Sequence, residues 1–292
     1  MLPVASSAAS DPGGPELELA LVRDLTRRVA GAGRLFVLSG AGVSTDSGIP
    51  DYRDEAGEWK HRQPMRFQEF SRSLAARQRY WARSLVGFQR IDLARPNRAH
   101  LALAALEREL EIELLVTQNV DGLHQKAGSQ NVLDLHGRLD LVECLSCRQE
   151  LWRADFQALL GELNPSFRFQ ASFVKPDGDA ELGTLDTSKF LVPPCGRCGG
   201  ILKPAVVFFG ESVPPPRVAK AMQALSNAGA LLVVGSSLMV FSGYRFVREA
   251  QRRDVPILIV NRGKTRADAH ATLKLELPVG EVLPRLVDAL RA

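Results

Sequence analysis

The stretch Arg34-Leu-Phe-Val-Leu-Ser39, running directly into Gly40-Ala-Gly-Val-Ser-Thr-Asp-Ser-Gly-Ile-Pro-Asp-Tyr-Arg53, decides how the chain is read. Its first part is a short apolar run without alternation, as in a strand of a parallel sheet covered on both faces. Gly40 and Gly42 then let backbone N–H groups approach a pyrophosphate, as glycine-rich loops do. Alone, the pair is weak evidence, and a ligand-free strand-turn-helix corner is the plain alternative. Thr45 stands where the dehydrogenase fingerprint has its third glycine.

Further along, other apolar runs end in the same way. Leu115-Val-Thr-Gln-Asn119 ends in an amide, Val233-Val-Gly-Ser-Ser237 in hydroxyls, and Ile259-Val-Asn-Arg-Gly263 in an amide and a glycine. Ligands of open α/β sheets bind beyond the carboxyl ends of strands, so four such ends argue for one shared site. Between the strands, helical spacing recurs at 17–30, 68–85, 97–109, 216–227 and 244–252. Pro204-Ala-Val-Val-Phe-Phe209 reads as one more strand of the set. The alternation predicts an α/β fold, a doubly wound, Rossmann-like parallel sheet.

The chain has 292 residues, long enough for a sizeable core in one large domain with an insertion or in two domains. Its 37 Lys plus Arg against 33 Asp plus Glu leave a net charge of +4, too small and too dispersed for a nucleic-acid partner. No apolar run approaches the ~20 residues of a membrane span. The first residues, 1–15, are rich in Ser, Ala, Pro and Gly and are expected to be a flexible leader of a cytoplasmic protein. Nothing in the sequence points to a particular oligomeric state, a monomer being one option.

The four cysteines form two hooks, Cys144-Leu-Ser-Cys147 and Cys195-Gly-Arg-Cys198. Two such hooks suit a closed, structural Zn²⁺ site; two disulfides or a redox pair are the alternatives, which a reducing compartment and the doubled pattern weaken. The expected division is a Rossmann-like domain of residues 16–139 and 203–292, interrupted by a zinc-binding module at 140–202 with a helix near 154–163.

Gly40 to Arg53, Thr117-Gln-Asn-Val-Asp-Gly-Leu-His124, His136-Gly137, the four cysteines, Phe209-Gly-Glu211, Gly235-Ser-Ser-Leu238 and Val260-Asn-Arg-Gly263 occur in the order found in sirtuins, which the chain resembles from residue 35 to about 285. Pro50-Asp-Tyr-Arg53, the run Arg77 to Arg83, Val206 to Gly210 and the run Gly235 to Arg245 resemble class II sirtuins. The resemblance implies an NAD-dependent protein deacylase acting on acyl-lysine proteins, with NAD consumed to nicotinamide and O-acyl-ADP-ribose. Protein mono-ADP-ribosylation is the neighbouring activity that uses the same NAD cleavage.

By the same resemblance, Asn119 and Asp121 line the nicotinamide pocket, Asn119 taking part in catalysis, and His136 is the general base for a ribose hydroxyl. Tyr52 lies over the cleavage site, Arg53 pairs with a phosphate and Gln118 contacts a ribose. Asn261, Ser236 and Ser237 serve the adenosine end, and Val279 meets adenine through its backbone. Gly40, Ala41, Gly42, Ser44, Thr45, Asp51, Val120, Gly235, Arg262 and Gly263 complete the cofactor set. The substrate is expected as an added strand near Phe209, Gly210, Ser242 and Gly243. Tyr80 and Arg83, one helical turn apart, have the spacing of a pair that binds acidic acyl chains; an exposed Arg and a packed Tyr are the plain alternative. Among the other histidines, His124 is expected to pack or hydrogen-bond, and His61, His100 and His270 to be ordinary surface or partly buried groups.

Overall fold

The computed structural model describes residues 14–60, 63–167, 173–181 and 186–292. His61 and nearly all of the expected leader lie outside them. In chain order the elements are α1 (Pro15–Gly31), β1 (Arg34–Ser39), α2 (Phe67–Arg72), α3 (Leu74–Leu93), α4 (Arg98–Glu109), β2 (Glu111–Thr117), α5 (Leu123–Lys126), β3 (Val132–Asp134), β4 (Gly137–Cys144) and β5 (Glu150–Trp152). There follow α6 (Arg153–Leu163), β6 (Phe173–Val174), β7 (Ala180–Glu181), β8 (Leu202–Val206), α7 (Pro215–Asn227), β9 (Ala230–Val234), α8 (Phe241–Arg252), β10 (Ile257–Val260), β11 (Leu273–Leu275) and α9 (Val279–Arg291).

Six strands form a wholly parallel sheet in the order β11-β10-β9-β1-β2-β3. Successive side chains of a strand point to opposite faces, and β1 shows the consequence. Leu35 and Val37 join a core with Val22, Leu25, Leu103, Leu106, Val282 and Leu286 from α1, α4 and α9. Phe36 and Leu38 enter the other core, with Leu225, Phe246, Val247 and Ala250 from α7 and α8. Both faces are therefore dry, which is why these strands lack alternation. The chain winds from β1 to β2 and β3 on one side and from β9 to β10 and β11 on the other, so the order reverses between β1 and β9 and the site opens at these strand ends.

Two expectations are corrected. The apolar run from Pro204 does not join the parallel sheet: β8 pairs antiparallel with β4 at the edge of a separate sheet ordered β5-β4-β8. Pro204 has no N–H to give a second neighbour, and an edge position tolerates that. The strand stops at Val206, because Val207 N–H turns to the carbonyl of His136 and Phe208 N–H to the Glu211 carboxylate. The helical run at 68–85 is two helices, broken at Ser73, whose extended backbone lets its hydroxyl cap α3 by accepting from Ala76 N–H. The divisions expected at 139/140 and 202/203 fall within the β4–β8 ribbon. A third core, with Phe70, Trp81, Phe156, Phe190 and Phe208, joins α3 to the cysteine-bearing segment. Among the described residues no helix is long and apolar enough to cross a membrane.

Candidate active site

A cavity of about 860 Å³ opens at the carboxyl ends of β1, β2, β9 and β10. Its floor depends on glycine. Gly42 N–H donates to the Gly235 carbonyl at 2.9 Å, and a Cβ on Gly40 would come within 2.7 Å of the Ser236 Cβ. Gly235 has φ +59, and a Cβ there would lie 2.6 Å from Val43 N. Two loops thus meet backbone to backbone, which side chains would forbid. Gly40, Ala41, Gly42, Ser44 and Thr45 line the cavity from one loop, Gly235, Ser236 and Ser237 from the other.

Behind this floor lies a polar network. Asn119 Nδ2 donates to the Gly40 carbonyl and to Ser44 Oγ, each at 3.0 Å. Ser44 Oγ in turn donates to Asp121 Oδ2 at 2.7 Å, and Asp121 Oδ1 accepts Leu123 N–H. Burial raises the Asp121 carboxyl above its ordinary pKa. Gln118 Nε2 donates to Ser236 Oγ at 2.8 Å. Gln118, Asn119, Val120 and Asp121 all face the cavity.

His136 stands at the opposite wall. Its Nδ1 is 2.9 Å from the Gln118 carbonyl, which only accepts, so Nδ1 carries the proton and Nε2 the lone pair. Nε2 accepts from Ser242 Oγ at 2.8 Å. Burial pushes the imidazole pKa down to about 4, assisted by the positive fields of Arg217 and Arg245. The ring is therefore neutral at neutral pH, with Nε2 unprotonated and able to accept a proton.

Above the floor, Asp51, Tyr52 and Arg53 line the cavity. Tyr52, Trp59 and Phe209 meet edge to face, with centroids 5.7 to 6.2 Å apart, and the Arg53 guanidinium lies 4.1 Å from the Trp59 ring centre. Asn261, Arg262, Val279, Phe209, Gly210 and Ser242 line the cavity as well. Three expected residues do not line the cavity. Gly243 backs it, since a Cβ there would press on Gln118 Oε1 at 2.5 Å. Gly263, at φ +80, lets the 261–264 loop lie against Glu55. Arg83 is engaged elsewhere: its Nε lies 2.7 Å from Asp179 Oδ1 and from the Ala180 carbonyl. Tyr80 does line the cavity and is buried. The two side chains of the Tyr-x-x-Arg pair thus do not face the cavity together, because the 175–179 turn captures the guanidinium.

His100 is also corrected. It is fully buried; Nδ1 accepts Asn97 N–H in a capping box, and Nε2 approaches Ser44 Oγ at 3.5 Å. His124 bonds Ser39 Oγ at 2.8 Å, as a packing and hydrogen-bonding residue should. His270 is exposed. The sequence reading missed the 175–179 turn, whose Pro176, Asp177 and Asp179 face the cavity, and it missed Trp59 and Arg245. A Pro-Asp-Gly-Asp turn signal was the only trace of the first.

The four cysteines come together at the other end of the β4–β8 ribbon, their sulfurs all within 4.8 Å of one another. The Cys144–Cys198 and Cys147–Cys195 separations are 3.5 and 3.7 Å. Tetrahedral Zn²⁺ with bonds of about 2.3 Å requires sulfur separations near 3.8 Å, whereas a disulfide needs about 2.05 Å. The donor set therefore fits a structural zinc. Gly200 leaves room for it to form, since a Cβ there would strike Cys144 Sγ at 2.8 Å.

A doubly wound sheet with a crevice of this composition and a four-thiolate cluster defines a dinucleotide-binding enzyme class with a metal-stapled insertion. The Sir2 family profile matches residues 40–242, and the chain belongs to that family. It is 57% identical over 250 residues to an "NAD-dependent protein deacetylase" of Xanthomonas axonopodis pv. citri, covering 86% of this chain and 85% of the relative. It is 48% identical over 257 residues to the "NAD-dependent protein deacylase Sirt4" of Drosophila melanogaster, covering 87% and 82%. Among solved structures, one described as "Sir2-p53 peptide-NAD+" superposes with TM-score 0.74 at 29% identity, over 92% of this chain and 98% of that one.

Proposed function

We propose that this chain is an NAD-dependent protein-lysine deacylase of the class II type, releasing nicotinamide and O-acyl-ADP-ribose. The observation that carries the reading is the hydrogen-bonded state of His136: a neutral ring with its proton fixed on Nδ1 and its basic Nε2 facing a dinucleotide-sized cavity. The names of the relatives and the peptide complex of the similar structure support it.

When bound, NAD supplies an electrophilic ribose carbon at its nicotinamide bond and a hydroxyl that receives the acyl group. In this reading Gly40 and Gly42, whose N–H groups are held by the Val234 and Gly235 carbonyls, let the pyrophosphate lie close against the loop backbone at Ala41, and Arg53 offers its guanidinium. Ser44, Thr45, Asp51, Gly235 and Arg262 complete that wall. Asn261, Ser236, Ser237 and Val279 hold the adenosine, while Gly263 shapes its loop. Asn119, Val120 and Asp121 enclose the nicotinamide, Ser44 orienting both polar side chains. Gln118 positions a ribose hydroxyl, and His136 Nε2 takes its proton, with Ser242 exchanging its hydrogen bond. Tyr52, Phe209 and Trp59 keep water from the reacting carbon. The acylated peptide lies between Phe209–Gly210 and the segment before Gly243. One Zn²⁺ on Cys144, Cys147, Cys195 and Cys198 would hold the ribbon that leads to Phe208 and Phe209, and metal-held thiolates in place of disulfides suit a cytoplasmic location.

A panel of acetyl-, glutaryl- and lipoyl-lysine peptides, assayed by mass with and without NAD, tests the reading. Nicotinamide release that requires an acyl peptide supports it. Transfer of label from NAD to protein without acyl peptide would replace it by mono-ADP-ribosylation.

A further inference from the structure

Helix α8 enters the cavity wall at Phe241, a ring that is 48% exposed beside Val240. Two guanidinium groups reach this ring from the same helix, Arg245 at 5.5 Å and Arg248 at 6.0 Å from its centre. Arg245 also lines the cavity, and its Nε is buried without a hydrogen-bond partner. Arg248 is exposed. Neither makes an ion pair among the described residues. Their neighbours on the helix differ: Arg252 and Arg253 are both held by Glu249. Glu211, a carboxylate that also faces the cavity, is occupied by Lys203 Nζ and Phe208 N–H.

A desolvated cation without a counter-charge costs stability, and a planar guanidinium held against an aromatic face is preorganised for a carboxylate. Here Arg245, with its buried Nε, and Arg248, which is exposed, are presented on one helix at the lip of the cleft. Their position follows directly on the segment 239–243, along which the peptide is proposed to lie. The positive field reaches the site itself, as the lowering of the His136 pKa by Arg245 indicates.

We infer that Arg245 and Arg248, with the Phe241 ring, form a docking patch for an Asp or Glu side chain of the substrate protein close in sequence to its acyl-lysine. The inference rests on the deacylase reading for the identity of the partner. It assigns a charge selectivity that backbone pairing in the cleft does not supply.

Direct binding and turnover separate the two readings. Fluorescein-labelled acyl-lysine peptides of one sequence carry Glu, Ala or Lys at the positions flanking the acyl-lysine, and anisotropy with the full chain gives their affinities. The Glu peptide is expected to bind roughly five- to tenfold tighter than the Ala peptide, as rim charge pairs allow, and the Lys peptide more weakly. The advantage should shrink as salt is raised. Arg248→Glu should reverse the order of Glu and Lys while leaving NAD affinity and the Ala peptide unchanged, and Arg248→Lys should retain part of it. Equal binding across the flanks, a preference that survives Arg248→Glu combined with Arg245→Gln, or no binding by any peptide would overturn the patch. Acid-selective binding without turnover would instead overturn deacylation and leave the patch standing.

Discussion

Ser242 Oγ lies 2.8 Å from Nε2 of His136, joining the first turn of α8 to the start of β4 across the cavity. The bond holds the imidazole's basic nitrogen toward the cavity while the Gln118 carbonyl holds its proton on Nδ1. His136→Ala should leave NAD affinity by calorimetry within about threefold and lower kcat for deacylation by about 10²–10⁴, the range of general-base losses. Ser242→Ala should cost less than His136→Ala. Near-normal turnover by His136→Ala would remove the base assignment.

The same imidazole sets the acid side of the pH profile. With the His136 pKa pushed down to about 4, kcat/KM of the free enzyme should hold steady well below pH 6.5 and fall only near 4 to 5. A limb at 6.5 that vanishes in the His136 variant would contradict the burial.

Stability should respond to acid through the buried pair His100 and His124, whose pKa values burial pushes down to about 4 and about 3. Their unfolded value is about 6.5, so the unfolded chain binds more protons below it. Their contribution is complete above pH 6.5 and is lost as pH falls, by about 1.4 kcal/mol per pH unit for each histidine. Asp177 works the other way between about pH 6 and 4, since burial and the Asp179 charge push its carboxyl up to about 6. Urea midpoints measured across this range should therefore fall more steeply with acid in Asp177→Asn than in the parent chain. Parallel curves would remove Asp177 from the balance.

Gly235→Ala should damage both stability and NAD binding. The left-handed backbone costs a Cβ-bearing residue on the order of 1–3 kcal/mol, and the methyl would meet Val43 N at 2.6 Å. Gly161→Ala on α6, with nothing within 4 Å, is the control and should be neutral or stabilising. Thermal melts with and without NAD distinguish the two.

Arg83→Met should leave the ratio of glutaryl to acetyl turnover unchanged. Asp179 already neutralises that guanidinium at 2.7 Å. A selective loss of glutaryl turnover would show that the 175–179 turn releases Arg83 when substrate binds.

Metal analysis should find one zinc per chain, and Cys147→Ser should lower it. Cys144 and Cys195 are members of the core that contains Phe156, Phe190 and Phe208. Chelation should therefore loosen the peptide side of the cavity and abolish turnover, with the near-ultraviolet circular dichroism of these aromatics changing at the same time. Full activity after verified zinc loss would contradict the link.

Local pattern was enough for the parallel sheet, its two-sided burial, the glycine corner and the cysteine hooks. Each of these is a property of residues close in sequence: Leu35 to Leu38 are apolar in an unbroken run, and Gly40 and Gly42 mark a turn whatever follows. Tertiary structure decided which of these features meet. The approach of Gly42 to Gly235, the pairing of β8 with β4, the capture of Arg83 by Asp179 and the Ser242–His136 bond all join segments far apart in the chain. Such contacts depend on the crossing of packed elements, and no periodicity records them. The sequence determined the chemical inventory of the site; packing decided which side chains face the cavity, and left Arg245 and Arg248 at its lip without a counter-charge among the described residues.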